Sequence, residues 1–206
     1  MCGICGIASL KLSPETLELQ TGKAVEALRH RGPDGQGVWT DPAGVSLGHA
    51  RLSILDLRPT AGQPMTSQDQ RWVLTFNGEI YNFLTLKREM EGSGVEFRTT
   101  SDTEVLLESL AFRGLLPTLQ KLCGMFAFAA WDRQDRKLYL ARDRMGQKPL
   151  FHGFTGNSFV FGSELRILRS YAPEARLSHE ACAQMLRYKA VPAPLTIYAG
   201  FYKLPP

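Results

Sequence analysis

The sequence predicts an α+β fold in which antiparallel sheets are covered by helices. Three observations lead there. Apolar, β-forming runs are interspersed with helical segments, but not in the strict strand–helix–strand alternation that builds a parallel sheet. Two pairs of runs, Met125–Asp132 with Lys137–Arg142 and Pro149–Phe154 with Ser158–Phe161, sit close together as hairpins do. Of 206 residues, 44% are hydrophobic and 21% charged, which supplies the core of one domain without disulfides.

Each element has a local reason. The apolar run Ile4–Leu10 predicts a buried strand almost at residue 1. Ser13 and Pro14 predict a helix start, with Ser13 as cap and Pro14 in the first helical position. Leu17, Ala24, Val25 and Leu28 then share one face, and Arg31-Gly32-Pro33-Asp34-Gly35 closes the segment in a turn. Val45–Leu55 and Trp72–Phe76 predict strands, and Asn77-Gly78 follows the second directly. Phe83–Gly92 predicts a helix closed by glycine. Val95–Thr99 predicts a short strand, and Ser101 or Asp102 caps a helix running to about Phe112. Four prolines (192, 194, 205 and 206) and little periodicity mark Ala190–Pro206. The expectation is a compact domain over 1–189, with 190–206 a linker or an edge segment leading to a further domain.

Composition excludes several function classes. The net charge of +4 is scattered and forms no basic patch for nucleic acid. No apolar stretch is long enough for a membrane span, and no basic-then-apolar leader marks a secretory signal. A cytoplasmic protein with reduced thiols at Cys2, Cys5, Cys123 and Cys182 is expected.

Chemistry concentrates on a few residues. Once Met1 is removed, Cys2 carries both a thiol and a free α-amine, and an α-amine with a pKa of about 7.7–8.0 can accept the thiol proton. Cys2-Gly3-Ile4-Cys5 is also a C-x-x-C, but no strand precedes it and no paired ligands follow, so redox and zinc roles are disfavoured and no metal site is expected. Asn77-Gly78 fits either a type I′ hairpin turn or a pair of oxyanion donors, the Asn side-chain amide and the Gly backbone N–H. Arg51 offers a planar fork for a carboxylate, and Asp102 a counter-charge for an ammonium. A surface ion pair and a helix cap are the alternatives for these two.

In order along the chain, Met1-Cys2-Gly3-Ile4-Cys5-Gly6, Arg29-His30-Arg31-Gly32-Pro33-Asp34 and Arg51-Leu52-Ser53-Ile54-Leu55-Asp56 resemble the glutaminase domain of class II glutamine amidotransferases. Phe76-Asn77-Gly78-Glu79-Ile80-Tyr81-Asn82, Ser101-Asp102-Thr103-Glu104, Gly124-Met125-Phe126-Ala127-Phe128 and Arg142–Leu150 narrow the resemblance to the N-terminal half of glutamine-hydrolysing asparagine synthetases. The resemblance implies an N-terminal-nucleophile hydrolase fold, an αββα sandwich of two antiparallel sheets between helix layers. It implies that Cys2 attacks the side-chain amide of L-glutamine, with its α-amine as base and Asn77 and Gly78 as the oxyanion hole. It further implies that Arg51 binds the substrate carboxylate and Asp102 its amine, in a pocket lined by Leu52, Ser53, Ile54, Leu55 and Glu79. Arg31–Asp34 is expected to shape a loop near the site, and Arg142–Lys148 to be structural or interdomain. No phosphate-binding loop occurs in the chain. ATP and Mg are therefore expected only for a C-terminal synthetase domain outside it, and no cofactor for the chain itself. Related readings are a domain serving another carboxylate acceptor and a non-catalytic docking module of the same fold. The family often pairs subunits, so a homodimer is possible.

Overall fold

The computed structural model describes residues 1–206. Ten strands form two antiparallel sheets. They are β1 Gly3–Ala8, β2 Gly35–Asp41, β3 Val45–Arg51, β4 Met65–Thr66, β5 Trp72–Ile80, β6 Gly124–Asp132, β7 Lys137–Arg142, β8 Phe151–Thr155, β9 Ser158–Gly162 and β10 Phe201–Lys203. The first sheet runs β10-β8-β9-β1-β3-β2 and the second β4-β5-β6-β7. Six helices flank them: α1 Pro14–Ala27, α2 Phe83–Glu91, α3 Asp102–Arg113, α4 Leu115–Lys121, α5 Leu165–Tyr171 and α6 His179–Tyr188.

The layers follow from which side chains each strand turns inward. Successive residues of a strand face opposite ways. Ile4 of β1, Val45 and Leu47 of β3, Val73 of β5 and Ala127, Ala129 and Trp131 of β6 share one buried cluster, the filling between the sheets. The alternate residues of the second sheet, Leu74, Phe76, Phe126 and Phe128, pack with Leu86, Met90, Leu106 and Leu110 from α2 and α3. Those of the first sheet, Cys5, Ile7 and Ala50, pack with Leu17, Ala24, Val25 and Leu28 beside α1 and with Ile167 and Leu168 of α5. The result is helix, sheet, sheet, helix. Three hydrogen bonds tie the sheets together: Thr75 Oγ1 donates to Gly48 O at 3.1 Å, His49 Nε2 to Phe76 O at 3.1 Å and Trp131 Nε1 to Asp41 Oδ2 at 3.3 Å. Donation to a carbonyl fixes His49 as the Nε2–H tautomer, and burial pushes its pKa down to about 4, so the imidazole is neutral.

Most sequence expectations hold. Ser13 caps α1 by accepting from Thr16 N–H, with Pro14 first in the helix, and Ser101 caps α3 through Thr103 N–H. Both expected hairpins form. Three points differ. The strand expected over Val45–Leu55 ends at Arg51, and residues 52–55 are a loop. Asn77-Gly78 lies inside β5, paired to Ala127 and Phe126, and not at a hairpin turn. Close sheet packing explains the glycine, since a Cβ on Gly78 would come within 2.4 Å of Met125 O. Residues Val95–Thr99 form no strand, because their backbone groups are claimed elsewhere. The Glu104 carboxylate accepts from Arg98 N–H at 2.9 Å and Thr99 N–H at 2.6 Å, and Val95 N–H reaches Met90 O. Within residues 190–206, read as a linker or an edge segment, β10 pairs with β8 as the edge strand of the first sheet, and Thr196 and Phe201 are buried. Strand β2, helices α4, α5 and α6, and the short strands β4 and β10 carry no signal that the sequence reading used.

Glu104 is wholly buried and also takes the Thr99 hydroxyl at 2.7 Å and Arg98 Nε at 3.2 Å. It therefore organises the turn that launches α3. Glu104→Ala is expected to lower unfolding free energy by roughly 3 kcal/mol, because it orphans several buried donors at once. Urea denaturation at neutral pH checks this, with an unchanged m-value.

Candidate active site

At one end of the inter-sheet layer lies a cleft of about 220 Å³. Strand alternation decides what enters it. Cys2 has the same parity as Ile4, so it turns inward from the start of β1. Arg51 shares parity with Val45 and Leu47 in β3, Asn77 and Glu79 with Val73 in β5, and Met125 with Ala127 in β6. All five line the cleft, as do the loop Leu52–Asp56, Gly78, Ser101–Thr103 and Lys148. Every site residue expected from the sequence is thus at one place. By the same alternation Cys5 turns away from Cys2, into the cluster beneath α1. The two halves of the C-x-x-C lie on opposite faces of the strand.

The Cys2 thiol is held by loop backbone. Leu52 N–H donates to Sγ at 3.4 Å, and Sγ lies 3.5 Å from Leu52 O. Burial raises the thiol pKa, against the lowering by the Leu52 hydrogen bond and nearby positive charge. Near neutral pH the group is therefore a thiol that needs a base. Arg31 Nε donates to Cys2 O at 3.0 Å, and its guanidinium is held in turn by Glu164 at 3.2 Å. Ser163 grips Ile4 on both sides, its Oγ accepting from Ile4 N–H and its N–H donating to Ile4 O.

Asn77 is buried, and its Nδ2 has no hydrogen-bond partner. A buried donor without a protein acceptor is unfavourable by itself, and this one is free for an acceptor that enters the cleft. Gly78 offers a second donor by geometry. Along the edge of β5 away from β6, Phe76 N–H donates to Gln63 Oε1 at 2.7 Å and Ile80 N–H to Asp102 Oδ2 at 2.9 Å. Gly78 lies between them with the same backbone parity, so its N–H points along that edge into the gap between the Gln63 and Asp102 side chains.

Asp102 is nearly buried at the first position of α3, and burial raises its carboxyl pKa to about 6 despite hydrogen bonds from Ile80 and Thr103. Neighbouring Glu79 adds to the rise. Arg51 donates Nη1 to Arg58 O at 3.1 Å and Nη2 to Asp56 O, so both terminal nitrogens hold the loop that follows β3. That loop is also tied by Ser53 N–H to Asp34 Oδ2 at 2.8 Å, and by Asp56 Oδ2 to Thr100 N–H at 3.0 Å. The expectation that Arg31–Asp34 shapes the site is met through these contacts. Ile54 and Leu55 sit on the rim, 73% and 46% exposed.

Three contributors were not found from the sequence. Gln63 and Ser163 carry no local motif. Lys148 falls in a loop read as structural, yet its side chain reaches the cleft. The loop itself is built around Asp143, whose carboxylate accepts from Phe126, Met145, Gln147 and Lys148 N–H.

The raised Asp102 pKa has a stability consequence. The folded state holds this proton more tightly than the unfolded chain, so stability is lost as pH rises from about 4 through about 6. Asp102→Asn keeps an acceptor for Ile80 N–H and removes the titration. It is expected to be more stable than wild type at pH 7 by roughly 2–3 kcal/mol, with the gain gone at pH 4. Urea denaturation at the two pH values measures the difference.

The sequence model described as the glutamine amidotransferase domain matches residues 1–206. The chain is 36% identical over 209 residues to asparagine synthetase [glutamine-hydrolyzing] 1 of Bacillus subtilis, covering 100% of this chain and 32% of that one. It is 36% identical over 169 residues to asparagine synthetase B of Escherichia coli, covering 82% and 30%. A putative asparagine synthetase of Methanocaldococcus jannaschii is 31% identical over 224 residues, covering 99% and 42%. The chain thus spans about a third of the length of the curated relatives it matches. Among solved structures, the glutamine phosphoribosylpyrophosphate amidotransferase of B. subtilis, complexed with ADP and GMP, superposes with a TM-score of 0.68 at 26% identity, over 82% of this chain and 43% of that one. The two-sheet sandwich is accordingly that of the N-terminal-nucleophile hydrolases. The chain belongs to the glutamine amidotransferase domain family.

Proposed function

We propose that this domain hydrolyses L-glutamine to glutamate and ammonia at Cys2, and that in the whole protein the ammonia passes to an ATP- and Mg-dependent synthetase domain that amidates aspartate. The observation that carries the site assignment is the buried, unpartnered Asn77 Nδ2 lining the same cleft as the Cys2 thiol. A donor left without a protein acceptor beside a nucleophile suits an oxygen that becomes negative only during reaction.

Once Met1 is removed, the Cys2 nitrogen is an amine and takes the thiol proton. Sγ attacks the side-chain carbonyl carbon of glutamine, forming the C–S bond and placing negative charge on oxygen. Asn77 Nδ2 and Gly78 N–H stabilise that oxyanion. Its collapse breaks the C–N bond, and the α-ammonium returns its proton to the leaving nitrogen, which departs as ammonia. Water then attacks the γ-glutamyl thioester, the amine takes the water proton, and glutamate and the free thiol are released. Asp102 faces the substrate ammonium, and the ammonium in turn favours its ionised form. Arg51 faces the substrate carboxylate, while Leu52, Ser53, Ile54, Leu55 and Glu79 wall the pocket. Two of the five Arg51 donors are engaged with loop carbonyls, so carboxylate binding uses the remainder or exchanges those contacts.

All four cysteines are unpaired, consistent with a reducing cytoplasm. No helix is long and apolar enough to cross a membrane. Residues 1–189 form the glutaminase domain, and residues 190–206, whose strand β10 packs on the first sheet, form the segment leading to the synthetase domain.

Cys2→Ala is expected to abolish glutamine hydrolysis in protein whose intact mass shows Met1 removed. Asn77→Ala is expected to lower kcat by about 10²–10³ with a smaller change in KM, because the lost bond forms mainly in the transition state. Glutamate release assays check both. Wild-type turnover by the Cys2→Ala protein would sink the assignment.

A further inference from the structure

We propose that Lys148 sets the basicity of the Cys2 α-amine by placing an unpaired ammonium in the same cleft. This rests on the reading of Cys2 as a nucleophile activated by its own amine.

Lys148 is 7% exposed, and no carboxylate lies within 4.0 Å of its Nζ. Its one polar contact is the Met1 sulfur at 3.4 Å. A buried cation with so weak a partner is unfavourable, and a purely structural lysine would be paired or would reach water. The backbone around it is rigidly set. Lys148 N–H donates to Asp143 Oδ2 at 3.0 Å, and Lys148 O accepts from Arg142 Nε at 2.5 Å. The side chain is thereby aimed at the N-terminus of the chain.

That contact bounds the distance. The covalent path from the Met1 sulfur to the Cys2 nitrogen spans at most about 6 Å, so Nζ lies within about 10 Å of that nitrogen. When Met1 is removed, Lys148 loses that sulfur contact and the new amine lies within this range of its ammonium. At an effective permittivity of about 20–40, a unit charge at that range lowers an amine pKa by about half to one unit. This moves the amine from a reference value of about 7.7–8.0 toward neutrality, where a larger fraction can act as base.

The other charged groups facing the site are paired, fixed in charge or of opposite sign. Arg31, from the turn after α1, sits on the Cys2 carbonyl and is paired with Glu164. Arg51 of β3 donates to neutral loop carbonyls, which leave its permanent charge in place, so its field acts on the site in the same sense as that of Lys148. Asp102 of α3 and Glu79 of β5 are acids and act in the opposite sense, raising the amine pKa. Lys148 is the buried cation with neither a carboxylate nor a carbonyl partner, and it offsets those two acids.

The test titrates the amine directly, without substrate. In the Cys2→Ala background no thiol titrates at the second position, and the ¹³Cα shift of the substituted residue in Met1-processed full chain reports the amine. Lys148→Met, of similar length and uncharged, is expected to raise that pKa by about half to one unit, and Lys148→Arg to restore it. With Cys2 present, the acid limb of kcat/KM for glutamine should move by the same amount in Lys148→Met. An amine pKa that is the same in all three proteins would overturn the proposal. Absence of glutaminase activity in Met1-processed wild type would instead overturn the reading of Cys2, while the amine titration still reported on Lys148.

Discussion

Everything at the site depends on the strict two-residue alternation of strands stacked face to face. Four central strands, β1, β3, β5 and β6, fill the space between the sheets with Ile4, Leu47, Val73 and Ala129. The same parity, carried to the strand ends, turns Cys2, Arg51, Asn77 and Met125 into a single cleft. A one-residue slip in any of these strands would send its functional side chain to the helix layer, and would do the same to its apolar residues. Burying the core and assembling the site are therefore one requirement. The cross-sheet bonds from Thr75 and from neutral His49 fix the two sheets in register beside the cleft.

The cleft is prepared by carboxylates whose oxygens are engaged with backbone N–H groups. Asp34 and Asp56 hold the loop after β3, Glu104 holds the turn before α3, and Asp143 gathers the loop that carries Lys148. For Asp56, hydrogen bonds from Arg58 and then Thr100 keep the carboxyl well below the usual carboxylate range. For Asp143, four backbone N–H groups outweigh desolvation and lower its pKa as well. Asp102 is the contrast. It has less compensation, and its pKa rises to about 6, which leaves it poorly satisfied until a cation arrives. The same division separates the polar donors: Phe76 and Ile80 N–H are taken by side chains, while Asn77 Nδ2 is left open.

Much of this was legible in the sequence because it is local or motif-bound. Ser13-Pro14 and Ser101 fixed two helix starts through cap chemistry, and the apolar runs located the central strands. The ordered motifs around Cys2, Arg51, Asn77 and Asp102 named the residues that the fold brings together. What escaped was long-range. Gln63 and Ser163 act across the fold and carry no neighbouring signal. Asn77-Gly78 has the composition of a tight turn, but close packing against Phe126 makes it strand. Val95–Thr99 alternates like a strand, yet a carboxylate from the next helix takes its backbone. Strand β10 has three residues and is defined by distant pairing with β8 and by a bridge from Tyr202 to Leu195.

The central claim is that Cys2, with a free α-amine, forms the covalent bond to glutamine. Intact-mass and peptide mass spectrometry of acid-quenched protein, sampled during turnover with glutamine, tests it most directly. The expected result is a γ-glutamyl adduct on the N-terminal peptide, confined to molecules lacking Met1 and located at Cys2. Glutamate formation with no adduct on Cys2, or with the adduct on another residue, would contradict it.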